Sequence, residues 1–382
     1  YYLVYGTGAA NDGAATITAS VALTTTDPTV TVTPKLSAPT LTKQILHNES
    51  DTWGVVGDNQ IGDTVQYRTI SSVPDTNNYD SYTYVIHDTL TSGLTFNSDS
   101  GVVKINDGTG TGTVVSPAAY TVNTTPGNSE IFTVSFNDVK ALITANGLDT
   151  EDDFYVYYGA TLNQGAILYT AGHNDNTAYL EYSNNPYATG EDGSTPTTGK
   201  TTPVTVYDWT FTMGVNKVNS KNEALTGAAF ALSESGGSDY TAIALIDNGN
   251  GTYTVAPSGT AGTVTTISAG SITIKGLDDS TTYYLHETKA PDGYNALSAP
   301  VSFVITAGYE TAGNALASGS PTVSVDNGDA STTLSTDVKN LTGAELPSTG
   351  GIGNTIFYVI GGTLAAGAGV MLIARKRVKD EK

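Results

Sequence analysis

An all-β chain of tandem sandwich domains is what this sequence predicts, and three observations predict it. Thr, Gly, Tyr and Val dominate, with 42 Gly and 23 Tyr against 2 Met, the composition of strands joined by tight turns. Apolar and polar residues alternate in short runs closed by Gly, Asn and Asp, which is the period of a half-buried strand. One segment alone, Asp138 to Gly147, reads as a helix. No heptads, Walker or Rossmann glycine pattern or solenoid period interrupts this picture. The 382 residues leave room for two domains of about 150 residues with cores of their own. The formal net charge is −21, and five of the 16 basic residues lie in the last few positions. The rest of the chain is therefore acidic, which argues against nucleic acid and anionic membrane surfaces as partners. Cysteine is absent, so the chain must be stabilised by something other than disulfides.

Taken in order, residues 1–35 hold one alternating stretch, Ala15 to Val21, and read as the end of an N-terminal domain. The chain opens Tyr1-Tyr2-Leu3-Val4 with no Met and no leader, and the expectation is that an N-terminal part is missing. Residues 36–190 carry the alternating runs of a first sandwich. Residues 191–203, rich in Gly, Ser, Thr and Pro, read as a linker. Residues 204–342 form a second β domain, and residues 343–382 a tail. That tail reads Leu346-Pro347-Ser348-Thr349-Gly350, then an uncharged span, then Arg375-Lys376-Arg377. Pro347 keeps the pentapeptide extended, as a protease substrate requires. Ile356 to Ala374 is close to the roughly 20 apolar residues of a transmembrane helix, and the basic end holds the cytoplasmic side.

Side-chain parity carries the functional argument, because alternate strand residues share a face. Phe211, Met213, Val215 and Lys217 share one face; so do Tyr283, Leu285 and Glu287, and so do Leu334, Thr336, Val338 and Asn340. A Lys, a Glu and an Asn thus point inward from three strands of one domain, although burying a lone charge is costly. The same trio recurs upstream. Lys43 lies with Leu41 and Ile45, Asp88 with Tyr82, Tyr84 and Ile86, and Asn184 with Ala178, Leu180 and Tyr182. Asn176 and Asn185 compete for the last role; parity puts Asn185 on the opposite face, and Asn184 is preferred. The chemistry that uses such a trio is spontaneous amide formation. Burial lowers the Lys pKa and raises that of the acid. A neutral amine can then attack the Asn carbonyl while the protonated acid, Asp88 or Glu287, polarises it and shuttles protons as ammonia leaves.

These residues carry a resemblance. The segment Leu285-His286-Glu287-Thr288-Lys289-Ala290-Pro291-Asp292-Gly293-Tyr294 is similar to the E-box of Gram-positive pilins, and Lys217 and Asn340 sit where a collagen-adhesin B-type domain carries its bonded pair. Lys43, Gly62 to Tyr67, His87 to Leu90 and Tyr182 to Asn184 resemble the middle, collagen-adhesin A-like domain of fimbrial shaft subunits. The tail resembles a cell-wall sorting signal, cut by a sortase between Thr349 and Gly350. Val30-Thr31-Val32-Thr33-Pro34-Lys35 resembles the pilin motif, whose Lys accepts the acyl-Thr of the next subunit, although Thr33 stands where the family usually has Tyr. Parity leaves Lys35 opposite Val30 and Val32, facing solvent.

The resemblance implies immunoglobulin-like sandwiches and a major pilin of the cell-surface pilus shaft, with Thr349 as acyl donor and Lys35 as acceptor. It implies other pilin subunits, pilin-specific and housekeeping sortases and peptidoglycan as partners. No cofactor, metal or enzymatic activity beyond self-crosslinking is implied. The alternative is a monomeric or minor-pilin wall-anchored adhesin that binds a host ligand, for which no acceptor lysine is needed. Two weaker features have plain readings. Asp247 to Gly251 is too short a ligand run for calcium and suits a hairpin turn. His47, His87, His173 and His286 lack paired metal spacing.

Overall fold

The computed structural model describes residues 2–6, 17–21, 38–47, 50–77, 79–108, 110–126, 130–184 and 197–342. The first two segments form a two-stranded antiparallel ribbon that pairs Val4 with Ala19. The sorting pentapeptide Leu346 to Gly350, the apolar span after it, Lys35 and Asn185 all lie outside the described residues. Among the described residues no helix is long and apolar enough to cross a membrane.

The first domain is a sandwich of two seven-stranded sheets. One sheet centres on the long Asp153–Leu162 strand, which pairs with Thr64–Ser72, and Thr64–Ser72 pairs in turn with Leu41–His47. The other centres on Asn174–Ser183, flanked by Tyr84–Leu90 on one side and Val204–Trp209 on the other. The alternating pattern does what it predicts: Leu41, Lys43 and Ile45 turn inward together, as do Tyr84, Ile86, Asp88 and Leu90. The one α-helix among the described residues, Val139–Asn146, is bounded by its own sequence. The Asp138 side chain caps the Ala141 N–H, and Gly147 closes the helix in the left-handed region at φ 63°.

The boundary between the domains differs from the expectation. Thr198–Lys200 pairs with Glu181 to Ser183, and Val204–Trp209 pairs with Asn174 to Ala178 and with Val56–Asp58. Part of the expected linker and residues 204–209, expected to open the second domain, therefore complete the first sandwich. The Thr- and Gly-rich composition around Thr198–Lys200 hides that strand, because it is shared by turns and by edge strands.

The second domain starts at Phe211 and packs two five-stranded sheets. In one, Phe211–Val218 lies between Ser271–Leu277 and the last strand, Ser335–Lys339, to which it runs parallel. The other runs Ile267–Ala269, Ala228–Ser233, Thr282–Lys289, Val301–Thr306 and Thr322–Val325. Asp247 to Gly251 is the hairpin expected, with Leu245 opposite Val255.

The domains meet through a buried polar seam. Ile61 donates its backbone N–H to the Gly276 carbonyl at 3.0 Å. A side chain on Gly276, at φ +84°, would meet Ile61 Cδ1 at 2.5 Å, so only glycine admits that contact. Trp209 Nε1 donates to the Gly313 carbonyl (3.0 Å) and the Tyr283 hydroxyl to Gln60 Oε1 (3.0 Å). The Tyr309 hydroxyl lies between Asp58 Oδ2 (3.1 Å) and Asp279 Oδ2 (3.0 Å). Burial and the neighbouring Asp278 and Asp279 push the Asp58 carboxyl well above its usual range, toward the neutral form.

Candidate functional site

In the first domain the site is built across the sandwich. Lys43 and Tyr158 come from one sheet, Asp88 and Asn176 from the other. Lys43 Nζ lies 2.5 Å from Asp88 Oδ2, with both side chains fully buried. The Tyr158 hydroxyl donates to the same carboxyl oxygen at 2.6 Å and accepts a hydrogen bond from Lys43 Nζ. Asn176 Nδ2 donates to that phenol oxygen at 2.9 Å. The phenol is held by its ring, stacked on Tyr67 (centroids 5.5 Å) and edge-on to Phe132 (4.8 Å). Asp88 Oδ1 and Asn176 Oδ1 are buried without hydrogen-bond partners.

The electrostatics favour a neutral pair. Burial pulls the Lys43 amine below its usual range, against the opposing pull of Asp88, and pushes the Asp88 carboxyl up, against Lys43 and Tyr158. Burial, reinforced by Asp88, holds the Tyr158 phenol far above its usual range, so it stays protonated.

The preference for Asn184 is corrected by the strand register. Ala178 faces Asp88 and Asn176 faces Leu90, which makes Asn176 the diagonal same-face neighbour of the carboxyl. Asn184 has the same parity but lies beyond the Tyr182–Tyr84 pair, about 20 Å along the strand from Ala178 at roughly 3.3 Å per residue. It is half-buried there, and its Oδ1 accepts from the Thr197 hydroxyl at 2.7 Å. Parity cannot separate Asn176 from Asn184; pairing register can. Tyr158 escaped the sequence reading for a related reason. Its strand is apolar on both faces, burying Phe154, Tyr155 and Val156 in succession, so no alternation singles the phenol out.

The second site has the same three residue types on a different frame. Lys217 and Asn340 belong to neighbouring parallel strands of one sheet, where Lys217 pairs with Val338. Glu287 reaches across from the other sheet. Lys217 and Asn340 are fully buried. Lys217 Nζ donates to the Val338 carbonyl at 3.0 Å and lies 3.5 Å from Glu287 Oε1. Glu287 Oε2 accepts from Asn340 Nδ2 (2.9 Å) and from the Leu297 N–H (2.8 Å), and Asn340 Nδ2 also donates to the Asn295 carbonyl at 2.6 Å. Burial pulls the Lys217 amine below its usual range, against the charge of Glu287. The expected trio is brought together as read, while the backbone acceptors at Val338 and Asn295 had no side-chain signal to reveal them.

The four histidines are accounted for locally. His87 bridges Glu130 and Glu181 at 3.0 Å each, while His47, His173 and His286 contact Asp58, Asp175 and Ser233. Among the described residues no group of three His, Asp or Glu side chains is arranged to hold a metal ion.

Two β sandwiches followed by a wall-sorting tail define a class, the Gram-positive surface proteins anchored to the cell wall, and residues 340–380 match the LPXTG cell wall anchor motif. Within that class the chain resembles the backbone pilins, and residues 211–315 match the SpaA prealbumin-like fold domain. It is 26% identical to the trypsin-resistant surface T6 protein of Streptococcus pyogenes serotype M6, over 90% of this chain and 70% of that protein. The fold is shared with a 35 kDa C-terminal fragment of the major pilin GBS80 of Streptococcus agalactiae. That match has a TM-score of 0.55 and 20% identity over 80% of this chain and all of the fragment. The fold is also shared with the full-length major pilin RrgB of Streptococcus pneumoniae, with a TM-score of 0.51 and 17% identity over 82% of this chain and 75% of that one.

Proposed function

We propose that this protein is the shaft subunit of a covalently polymerised surface pilus. In this reading a sortase joins Thr349 to Lys35 of the next subunit, and each sandwich is locked by a Lys–Asn isopeptide bond. The observation that carries the reading is the paired burial of the side chains of Lys43, Asp88 and Asn176 and of Lys217, Glu287 and Asn340 in a cysteine-free chain with a wall anchor. Each set has a buried amine disposed to be neutral and a carboxyl beside it. In each, the Asn amide nitrogen is already held by a hydrogen bond while its carbonyl oxygen is unpaired. Attack of Lys217 Nζ on Asn340 Cγ, with Glu287 touching both nitrogens, breaks the Cγ–Nδ2 bond, releases ammonia and turns a buried lysine and a buried amide into one neutral crosslink. The resistance to trypsin recorded in the name of the Streptococcus pyogenes relative is the property such crosslinks confer. The protein is then a substrate of sortases and an enzyme only upon itself.

The polymer is tested in the native cell wall. Wall-released material should run as an SDS-resistant ladder. Lys35→Ala should collapse it to anchored monomers, and so should Lys35→Arg, because a guanidinium stays charged and is a poor nucleophile. A ladder that persists in both variants moves the acceptor elsewhere, with Lys200 next to test. No ladder in the wild type would favour the anchored adhesin.

A further inference from the structure

The two sites differ in which group touches both reacting nitrogens. In the second domain Glu287 does so, with Oε1 beside Lys217 Nζ and Oε2 on Asn340 Nδ2. In the first domain Asp88 holds the lysine and the phenol, and it is the Tyr158 hydroxyl that contacts both Lys43 Nζ and Asn176 Nδ2. We propose that Tyr158 is a catalytic residue of the first domain, relaying a proton from the attacking lysine to the departing amide nitrogen, a task that Glu287 performs in the second. This inference rests on the isopeptide reading of the first site.

The step balances as an exchange. Neutral Lys43 Nζ forms a bond to Asn176 Cγ, and the carbonyl electron pair moves to Oδ1. The new ammonium centre gives one proton to the Tyr158 oxygen as the phenol gives its own to Nδ2. That nitrogen acquires a lone pair in the tetrahedral adduct and becomes an acceptor. The Cγ–Nδ2 bond then breaks, ammonia leaves with the bonding pair, the carbonyl re-forms, and the phenol is unchanged. The hydroxyl hydrogen points at Asp88 Oδ2 at rest, and rotation about the phenol C–O bond redirects it. Relay by exchange suits a phenol whose burial forbids ionisation, since no charged tyrosinate is needed. Asp88, protonated, orients the hydroxyl and stabilises the adduct.

The test follows crosslinking in the full chain, synthesised and kept unfolded in denaturant so that no bond has formed and then refolded by dilution, by mass and by the branched Lys43–Asn176 peptide. If the wild type forms no such branch, the isopeptide reading of this domain fails and the relay with it. If the branch forms, Tyr158→Phe should slow its appearance by about 100-fold or more, the lower range for general acid–base groups, while the Lys217–Asn340 branch forms at its normal rate. The wild-type rate should also fall in D2O. An unchanged rate in Tyr158→Phe overturns the relay and leaves the bond standing. The structural cost of losing the hydroxyl is read separately, as the change in thermal unfolding between Asn176→Ala and Asn176→Ala/Tyr158→Phe, where no bond can form. Should Tyr158→Phe misfold, 3-fluorotyrosine at position 158 keeps the hydroxyl and changes its acidity. A changed rate and isotope effect then support the relay, and unchanged values reject it.

Discussion

The same three side-chain types are mounted in opposite ways in the two domains. In the first, the proposed bond joins Lys43 on one sheet to Asn176 on the other, a staple through the core. In the second it joins Lys217 to Asn340 on adjacent parallel strands, the first and last of the domain, with the acid supplied from the opposite sheet. The difference decides where tension goes. In the second domain force entering at Phe211 reaches Lys217 six residues on and crosses there to Asn340, and the rest of the domain hangs outside the load path. In the first, force passes from Lys43 to Asn176 and must still run through Ala178 to Ser183, Thr198–Lys200 and Val204–Trp209 before it leaves. The staple protects the core and leaves the last strands to peel.

Pulling one full chain between its ends tests this contrast most severely. The wild type should lengthen by roughly 100 Å from the first domain, about 30 residues at about 3.5 Å each, and by almost nothing from the second. Asn340→Ala should release roughly 400 Å more from the second domain. Equal extensions from both domains would break the comparison.

Equilibrium stability should treat the domains more alike. Asn176→Ala and Asn340→Ala each open a loop of roughly 100 or more residues, which the chain-entropy estimate sets at about 4–5 kcal/mol. For domains of this size that is a fall of about 10–20 °C in the melting temperature of the altered domain, measured by calorimetry. A loss confined to one domain would show that only one site reacts.

The first site should also show its electrostatics in the pH dependence of bond formation. The reactive form pairs a neutral Lys43 with a protonated Asp88, in line with the downward and upward shifts that burial imposes. Acid protonates the amine and base ionises the carboxyl, so the rate of appearance of the Lys43–Asn176 branch should be bell-shaped, falling about tenfold per pH unit on each limb. A rate that rises steadily with pH would mean that the carboxyl proton is not needed.

The smallest effect belongs to the seam between the domains. Asp208, buried beside it, accepts from Asn59 Nδ2 at 2.7 Å, and burial pushes its carboxyl up to about 7. A carboxyl raised in the folded state stabilises fully below its unfolded pKa of about 3.9 and loses that contribution as pH rises through its folded value. Between those limits the slope is about 1.4 kcal/mol per pH unit. Protection factors for hydrogen exchange at Asn59 to Ile61, corrected for the intrinsic pH dependence of exchange, should therefore be higher at pH 5.5 than at pH 7.5, and Asp208→Asn should flatten the difference.

Much of this molecule is legible in its sequence, because strand parity is a local property. Lys217, Glu287 and Asn340 each follow two or three core residues of their own strand, and the structure buries them together. Lys43 and Asp88 are read the same way. What parity cannot supply is register. Asn176 and Asn184 share a face, and only the pairing of Ala178 with Asp88 chooses between them. Nor can composition separate a Thr- and Gly-rich linker from the edge strand at Thr198–Lys200. Tyr158 was invisible because a central strand buried on both faces carries no alternation to mark one residue out.

The central claim, that both clusters close into covalent bonds without an enzyme, is tested most directly by the intact mass of the purified full chain prepared without sortase. The account predicts a mass below the sequence value by about 34 Da, two molecules of ammonia, with branched peptides joining Lys43 to Asn176 and Lys217 to Asn340. A mass equal to the sequence value would contradict it.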